Sequence, residues 1–102
     1  MWDQVERLYG YHGDVPVEAR LLKLTEEVGE VTQAVIGTLG QNPRKGVTHT
    51  WEDVQAELCD VIFTAMVALT TLTPDARETF DGHLARVASR SLGAPSAAAV
   101  TS

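Results

Sequence analysis

Two pairs of acidic residues stand inside stretches of the chain that are otherwise apolar. Glu27 and Glu30 lie three residues apart, and Glu57 and Asp60 repeat this spacing further along the chain. Residues three apart share one face of a helix, so each pair would direct two carboxylates the same way. Ligand sets made only of oxygen suit Mg²⁺ or Mn²⁺ rather than zinc. The residue types and their spacing therefore predict a divalent-metal site formed by two helices.

The neighbours of these carboxylates favour at least partial burial. They are the aliphatic side chains Val28, Val31, Leu58, Val61 and Ile62. A buried charge is costly unless it is paired or binds a metal. Lys23 can pair with Glu27 across four residues, but no cation close in sequence serves Glu30, Glu57 or Asp60. A bound cation would neutralise the group most simply.

Solvated helix faces are the alternative explanation, because the chain holds 14 acidic residues and other pairs with the same spacing. These pairs are Asp3/Glu6, Asp75/Glu78 and Glu78/Asp81. All three lie near predicted helix starts, where carboxylates interact favourably with the helix dipole. The two pairs described first lie instead in the middle of predicted helices among aliphatic residues. This placement favours the metal site.

Apolar residues recur at spacings of three and four, and no alternating strand pattern of convincing length occurs. The predicted helices are a short one that starts at Trp2 and is broken by Gly10 and Gly13, a long one from Pro16 to Leu39, a long one from Trp51 to Leu72 with Thr50 as N-cap, and one that begins with Pro74 just inside it and continues to Leu92. The predicted class is therefore all-α: an antiparallel helical bundle with two long ligand-bearing helices and two shorter flanking helices.

The second helix contains two glycines, and a loop is predicted to join it to the third helix. Gly29 and Gly37 each weaken the second helix by about 1 kcal/mol relative to Ala, which indicates close packing or a backbone approached by a ligand. The composition of residues 40–50, with two glycines, Pro43 and a basic pair, predicts a surface loop.

Size and composition predict one domain at residues 1–93, followed by a flexible C-terminal tail at 94–102 that is rich in Ala and Ser. Four helices in 102 residues cannot bury two leucine-rich seams among themselves, so we expect a homodimer or a homotetramer. No continuous apolar run approaches the roughly 20 residues of a membrane span, and no signal segment is recognisable. Cys59 is the single cysteine and is expected to be a buried, inert thiol, in keeping with a cytoplasmic location.

The net charge of −6 and the lack of a Lys/Arg cluster argue against binding to a nucleic-acid polymer, which requires basic side chains to neutralise several phosphates. A polyphosphate ligand would need a metal ion to approach such an acidic chain.

The motif KLTEEVGE at residues 23–30, followed by ELCDVIF at residues 57–63, resembles the MazG-type all-α nucleoside triphosphate pyrophosphohydrolases. The resemblance extends over residues 15–92 and rests on the family pattern of Glu-x-x-Glu and Glu-x-x-Asp. It implies that Glu27, Glu30, Glu57 and Asp60 bind Mg²⁺. It also implies hydrolysis of a nucleoside triphosphate between the α and β phosphates to a monophosphate and pyrophosphate, as in housecleaning of noncanonical or excess nucleotides.

Further residues are expected to serve this chemistry. The candidate catalytic carboxylates are Glu27 and its neighbour Glu26, which is turned about 100° round the helix and could orient water, hold a second metal or cap a neighbouring subunit's site. The candidate substrate-binding cations are Lys23, Arg44, Lys45, Arg86 and Arg90. The loop that carries Arg44 and Lys45 is expected about 10–15 Å from the acidic pairs, close enough for these side chains to reach a nucleotide but not the metal.

Two other interpretations are open. The chain could be a non-catalytic helical dimerisation or regulatory module whose acidic faces are solvated, or it could keep the fold and the metal site with lost or altered activity. Thermal stabilisation by Mg²⁺ separates the first interpretation from an enzyme, because a ligand that binds only the folded state must raise its stability. An activity assay separates the second.

Overall fold

The computed structural model of this chain describes residues 1–12 and 15–93, without the side chains of residues 11 and 12. Four helices form the fold, namely α1 (Trp2–His12), α2 (Val17–Leu39), α3 (Trp51–Leu72) and α4 (Ala76–Leu92). No strand occurs within these described ranges. The all-α class with two long helices is therefore confirmed. The tail predicted at 94–102 lies outside the described residues.

Helices α2 and α3 form the main packed pair, α1 packs on α3, and α4 makes a smaller contact with α3. The order of contacts along α2 and α3 shows that the two helices are antiparallel. Gly37 meets His49 close to the loop, whereas Arg20 and Val67 line the same cleft at the other end of the pair. The antiparallel arrangement predicted for the two long helices is confirmed.

The ends of α2 and α3 that meet the loop have well-defined caps. Helix α2 stops at Gly40, which has φ 64° and whose N–H donates to the Ile36 carbonyl. This left-handed conformation favours glycine. Thr50 and Asp53 form a capping box at the start of α3: the Asp53 N–H donates to Thr50 Oγ1 at 3.2 Å, and the Thr50 N–H donates to Asp53 Oδ2 at 2.9 Å. The predicted boundaries of α3 and its N-cap are confirmed.

The loop folds back onto the last turns of α2. The Thr48 N–H donates to the Gly37 carbonyl at 3.0 Å, and Thr38 Oγ1 donates to the Thr50 carbonyl at 3.1 Å. A Cβ atom built on Gly37 would overlap the His49 ring and lie 2.5 Å from Thr48 Oγ1. We call this region the loop junction; it consists of Gly37, Thr38, Thr48, His49, Thr50 and Asp53.

The prediction of a short first helix is confirmed. Helix α1 continues through Gly10 to His12, since a glycine inside a helix costs only about 1 kcal/mol and the packing of α1 outweighs that cost. The predicted start of the fourth helix was wrong. Pro74 lies in the turn before α4 rather than inside the helix. Asp75 occupies the N-cap position of α4, and its N–H donates to Thr73 Oγ1 at 3.1 Å.

The core is small for the number of apolar residues in the chain. Trp2, Val5, Val67 and Ala76 are buried together, with Met66 and Leu69 packed against them. No large side chain among the described residues is fully buried. The molecule is elongated, with extents of 56 × 39 × 20 Å. An elongated shape with a thin core leaves much of the apolar surface of α2 and α3 in contact with solvent.

By length and composition alone, α3 could cross a membrane, with a mean hydropathy of 1.4. The uninterrupted apolar runs in α3 are short, but the helix as a whole is long and apolar enough to span a bilayer. Core helices of proteins without membrane spans can be equally long and apolar, so this property of one helix does not by itself indicate a membrane protein. Helix α3 also directs Glu57 and Asp60 towards the carboxylates of α2, and ionisable groups are costly within a bilayer.

Candidate metal centre

Helices α2 and α3 bring the two predicted acidic pairs together. One carboxylate oxygen from each of Glu27, Glu30, Glu57 and Asp60 lies within 4.8 Å of the others. The i, i+3 spacing places each pair on one helix face, and the antiparallel packing places the two faces opposite each other at the same level. We call these four residues the acidic cluster. It is the arrangement that the two motifs predicted.

The four carboxylates differ in their exposure to solvent. Glu27 is 7% exposed, Glu57 and Asp60 are half-buried, and Glu30 is exposed. The prediction of partial burial is therefore confirmed for three residues, whereas Glu30 lies at the open edge of the helix pair. The acidic cluster thus has a buried side at Glu27 and a side that faces solvent at Glu30.

Lys23 provides a positive charge on the buried side. Its Nζ lies 3.0 Å from Glu27 Oε1 and 3.7 Å from Glu26 Oε2. The hydrogen bond to Glu27, and then the negative charge of Glu27, raise the pKa of Lys23 above its ordinary value. The predicted pairing of Lys23 with Glu27 is confirmed.

The solvent side of the acidic cluster carries uncompensated negative charge. A hydrogen bond with Glu57 is the largest of the interactions that raise the pKa of Glu30 above its ordinary value, and the charge of Glu27 is the next. Glu57 Oε2 is buried, and no group in the described part of the chain forms a hydrogen bond with it. A buried carboxylate oxygen without a donor is costly. The cluster therefore favours a proton or a cation on this side.

The donor set of the acidic cluster fits a hard divalent cation. All four side chains offer carboxylate oxygens, which Mg²⁺ and Mn²⁺ prefer to nitrogen or sulfur. The orphaned oxygen of Glu57 and the raised pKa of Glu30 are both features that a cation would relieve. The residues present thus fit the predicted metal, and Glu27, Glu30, Glu57 and Asp60 are the side chains that could hold it.

A cleft of about 390 Å³ opens beside Glu27. Its apolar lining residues are Leu8, Val15, Phe63 and Val67, and its polar ones are Arg20, Lys23, Glu27 and Thr64. Arg20 is buried, at 7% exposure, and was not among the site residues predicted from the sequence. Its guanidinium carbon lies 5.0 Å from the centre of the Tyr9 ring. The spacing of seven residues between Arg20 and Glu27 was the available signal, because residues seven apart share a helix face.

The other predicted site residues lie in different places. The Glu26 side chain is 69% exposed and contacts Lys23. Arg44 and Lys45 are exposed in the loop. Arg86 and Arg90 line a separate open groove on α4 with His83 and Ser89. Only Lys23 among the predicted substrate-binding cations is an ion-pair partner of the acidic cluster within the part of the chain described here.

The expectation for Cys59 was wrong. The thiol is exposed rather than buried. Helix α3 turns the acidic pair at 57 and 60 towards α2. Cys59 lies two residues after Glu57, about 200° round the helix from it, and therefore points to the opposite side.

Comparisons with protein families, with curated proteins and with solved structures find no match for this chain. In the part of the chain that the structure describes, the geometry shows an all-α protein of four helices with an acidic cluster that could hold a divalent ion.

Proposed function

We propose that this protein is a Mg²⁺-dependent nucleoside triphosphate pyrophosphohydrolase. One observation carries the proposal: four carboxylates from two antiparallel helices converge within 4.8 Å, and a buried oxygen of one of them lacks a hydrogen-bond donor. The resemblance of the two motifs to the MazG-type enzymes supplies the reaction class. Mn²⁺ is the alternative metal.

The reaction would consume one water molecule. The water oxygen forms a bond to the α-phosphorus, and the bond from this phosphorus to the oxygen that bridges it to the β-phosphorus breaks. The products are a nucleoside monophosphate and pyrophosphate. A divalent ion, when bound, supplies charge neutralisation of the polyphosphate and lowers the pKa of a coordinated water. Glu27, Glu30, Glu57 and Asp60 would hold that ion.

Lys23 and Glu26 are the proposed accessory residues. Lys23 is held at Glu27 by a 3.0 Å contact, so its ammonium group is positioned where a phosphate oxygen would meet the cluster. Glu26 is the candidate for orienting the attacking water, because its carboxylate lies 3.7 Å from Lys23 Nζ, which also contacts Glu27 of the cluster. Arg44, Lys45, Arg86 and Arg90 are proposed only as contacts to the outer parts of the nucleotide.

We also propose that the functional form is a homodimer or homotetramer. The exposed fractions of Val28, Leu58 and Ile62 are 50%, 46% and 57%, and all three side chains flank the acidic cluster in sequence. Association would remove these side chains from water, at about 25 cal/mol per Å² of apolar surface. Sedimentation at micromolar concentration should give a mass above that of the 11.0 kDa chain; a monomer would contradict this assembly.

The same exposed apolar surface supports a second candidate, a non-catalytic helical dimerisation or regulatory module. In such a module the acidic cluster would be solvated and would bind no metal. Thermal unfolding with and without Mg²⁺ separates the two candidates, because only a specific metal site raises the unfolding temperature with increasing Mg²⁺.

The decisive experiment incubates the protein with ribo-, deoxyribo- and modified nucleoside triphosphates and Mg²⁺, and separates pyrophosphate from orthophosphate. We expect pyrophosphate and monophosphate from the wild type, and almost none from Asp60→Asn. Glu52→Gln is the matched control, because Glu52 is an exposed acid on the same helix outside the cluster. Orthophosphate as the primary product would contradict cleavage between the α and β phosphates.

A further inference from the structure

The loop junction and the acidic cluster lie at matching distances along the two long helices. The His49 ring lies against Gly37 near the end of α2, and Thr50 is the N-cap of α3. On α2, Glu30 lies seven residues before Gly37. On α3, Glu57 lies seven residues after Thr50. Seven residues of helix rise about 10.5 Å and return to nearly the same face, so the junction determines which carboxylates stand opposite each other.

The helix faces between the junction and the cluster are buried. Ala34 lies three residues before Gly37 and four after Glu30, and it therefore shares their face of α2. Ala34 and Gly37 are both buried. Val54, four residues after Thr50, is buried on α3. Because close-packed interiors transmit strain, a displacement of the start of α3 at Gly37 is carried along the helix to the carboxylates.

The contact at Gly37 leaves no room for a side chain. A Cβ atom built there would overlap His49 Nδ1 and lie 2.9 Å from His49 Cγ. A hydrogen bond of 2.9 Å joins Thr48 Oγ1 to His49 Nδ1 and holds the ring in place. The Thr48 N–H donates to the Gly37 carbonyl at 3.0 Å. An atom added at Gly37 would therefore push this segment, and with it the start of α3, away from α2.

We propose that the contact between Gly37 and His49 positions the metal site, because it sets the distance between the acidic pair of α2 and the acidic pair of α3. The inference rests on the metal site of the proposed function and deepens it by naming what selects the ion. Mg²⁺ requires near-ideal octahedral geometry at about 2.0–2.1 Å, whereas Ca²⁺ accepts flexible geometry at about 2.3–2.6 Å. A fixed, short distance between the pairs favours Mg²⁺. Gly37 and His49 are positioning residues here, not ligands.

The preference for Mg²⁺ over Ca²⁺ tests this role, because a loss of stability alone would leave it unchanged. The variant is Gly37→Ala, and titration calorimetry measures the Kd of each ion at a temperature where circular dichroism shows a folded protein. We expect Mg²⁺ affinity to fall about tenfold and Ca²⁺ affinity about twofold or less, so the preference falls about fivefold or more. Gly29→Ala is the matched control. Gly29 is closer to the acidic cluster, but its Cβ would meet nothing within 4 Å, so the preference should not change.

His49→Ala and the double variant with Gly37→Ala distinguish positioning from a weakened fold. His49→Ala removes the ring without adding an atom, and the preference for Mg²⁺ should also fall, because the distance between the pairs is no longer fixed. In the double variant, the added methyl group occupies space that the ring has left. We expect its preference to return to within about twofold of the wild-type value, whereas two independent losses would add.

A metal-free measurement tests the same contact without a bound ion. Glu30→Gln removes one of the converging charges and should raise the unfolding temperature at pH 7. In the Gly37→Ala background the pairs are further apart, so Glu30→Gln should raise it by about half as much or less. Substitutions more than about 7–10 Å apart that share no partner normally have additive effects. Coupling between these two positions therefore reports a change in the distance between the carboxylates.

The outcomes separate this inference from the proposed activity. In a protein that binds Mg²⁺, an unchanged ion preference in Gly37→Ala and His49→Ala would overturn the positioning contact, even if nucleotides are hydrolysed. A fall in preference that the double variant deepens would overturn it too, and a fall that the double variant reverses would support it. If the wild type binds no Mg²⁺, the proposed function fails and the unfolding temperatures decide alone. Coupling between Gly37→Ala and Glu30→Gln then supports the contact, and additive effects overturn it.

Discussion

The acidic cluster and the loop junction lie on the same two helices, but their side chains meet in opposite ways. At the loop junction, Thr48, Thr50 and Asp53 form hydrogen bonds with backbone groups, and the chain passes close to Gly37. In the acidic cluster, by contrast, carboxylates face carboxylates. One of their buried oxygens, Glu57 Oε2, has no donor in the described part of the chain.

The comparison indicates that the loop junction contributes to the stability of α2 and α3, whereas the acidic cluster is the candidate functional region of the same two helices. Satisfied polar groups and close packing stabilise the loop junction, whereas converging negative charges destabilise the cluster until a cation neutralises them. Charged residues that destabilise a fold because no group within the protein neutralises them are typical of functional sites. Mutations in the two regions should therefore have opposite effects on stability.

The largest expected effect comes from Asp60→Asn. We expect Mg²⁺ affinity to fall about tenfold or more and hydrolysis to fall about 100-fold, because a metal supplies several kcal/mol of charge stabilisation. The metal-free variant should unfold at a temperature equal to or above that of the wild type, since one repelling charge is gone. Calorimetry with Mg²⁺ and thermal unfolding without it measure both effects. Unchanged Mg²⁺ affinity in Asp60→Asn and Glu27→Gln would remove these residues from the site.

The next largest effect is on stability. Gly37→Ala should destabilise the protein by about 1–2 kcal/mol, since the added Cβ overlaps His49 and overpacking costs more than the gain in helix propensity. Gly29→Ala is the control on the same helix: nothing within 4 Å would meet its Cβ, so we expect stabilisation by about 1 kcal/mol. Urea unfolding measures both. Equal effects of the two substitutions would show that the loop does not pack on α2 in solution.

A smaller effect is expected from Arg44→Ala combined with Lys45→Ala, which asks whether the loop also serves the substrate. Both residues are exposed. Their backbones are held by Asn42: the Arg44 N–H donates to Asn42 Oδ1 at 3.1 Å, and the Lys45 N–H donates to the Asn42 carbonyl at 3.1 Å. We expect KM to rise about threefold to fivefold with kcat and Mg²⁺ affinity unchanged, which is the pattern of lost uniform binding. Steady-state kinetics test this. Wild-type kinetics would indicate a solvated loop, and a fall in kcat alone would place the loop in the chemical step.

The smallest effect concerns pH and the charge of Glu30. A carboxyl whose pKa is raised by folding stabilises the protein while it is protonated, below its unfolded value, and this stabilisation is lost as the pH rises through the folded pKa. The pKa of Glu30 is raised above its ordinary value by the hydrogen bond with Glu57 and by the charge of Glu27. Metal-free Glu30→Gln should therefore unfold at a higher temperature than the wild type at pH 7, and the difference should shrink at pH 4. At pH 7 with saturating Mg²⁺, the wild type should instead unfold at the higher temperature. A difference in unfolding temperature between Glu30→Gln and the wild type that does not depend on pH would contradict charge repulsion at Glu30.

The local sequence determined the helices and both acidic pairs. Thr50 with Asp53 marks the start of α3, and Gly40 terminates α2, because capping depends on a few residues next to one another in the chain. Each acidic pair is likewise a local feature, since three residues of helix suffice to align two carboxylates. These features could be read without knowing which helix packs on which.

The depth and surroundings of the site depended on packing between helices. The spacing of Glu27 and Glu30 does not reveal that one is buried and the other exposed. The spacing of Cys59 from Glu57 shows that the thiol is exposed only once α2 is known to pack on the Glu57 face of α3. Arg20 and Phe63 border one cleft although they are 43 positions apart in the sequence. Such relations arise only when α2 and α3 adopt one register and rotation, because burial is set by residues that are distant in the chain.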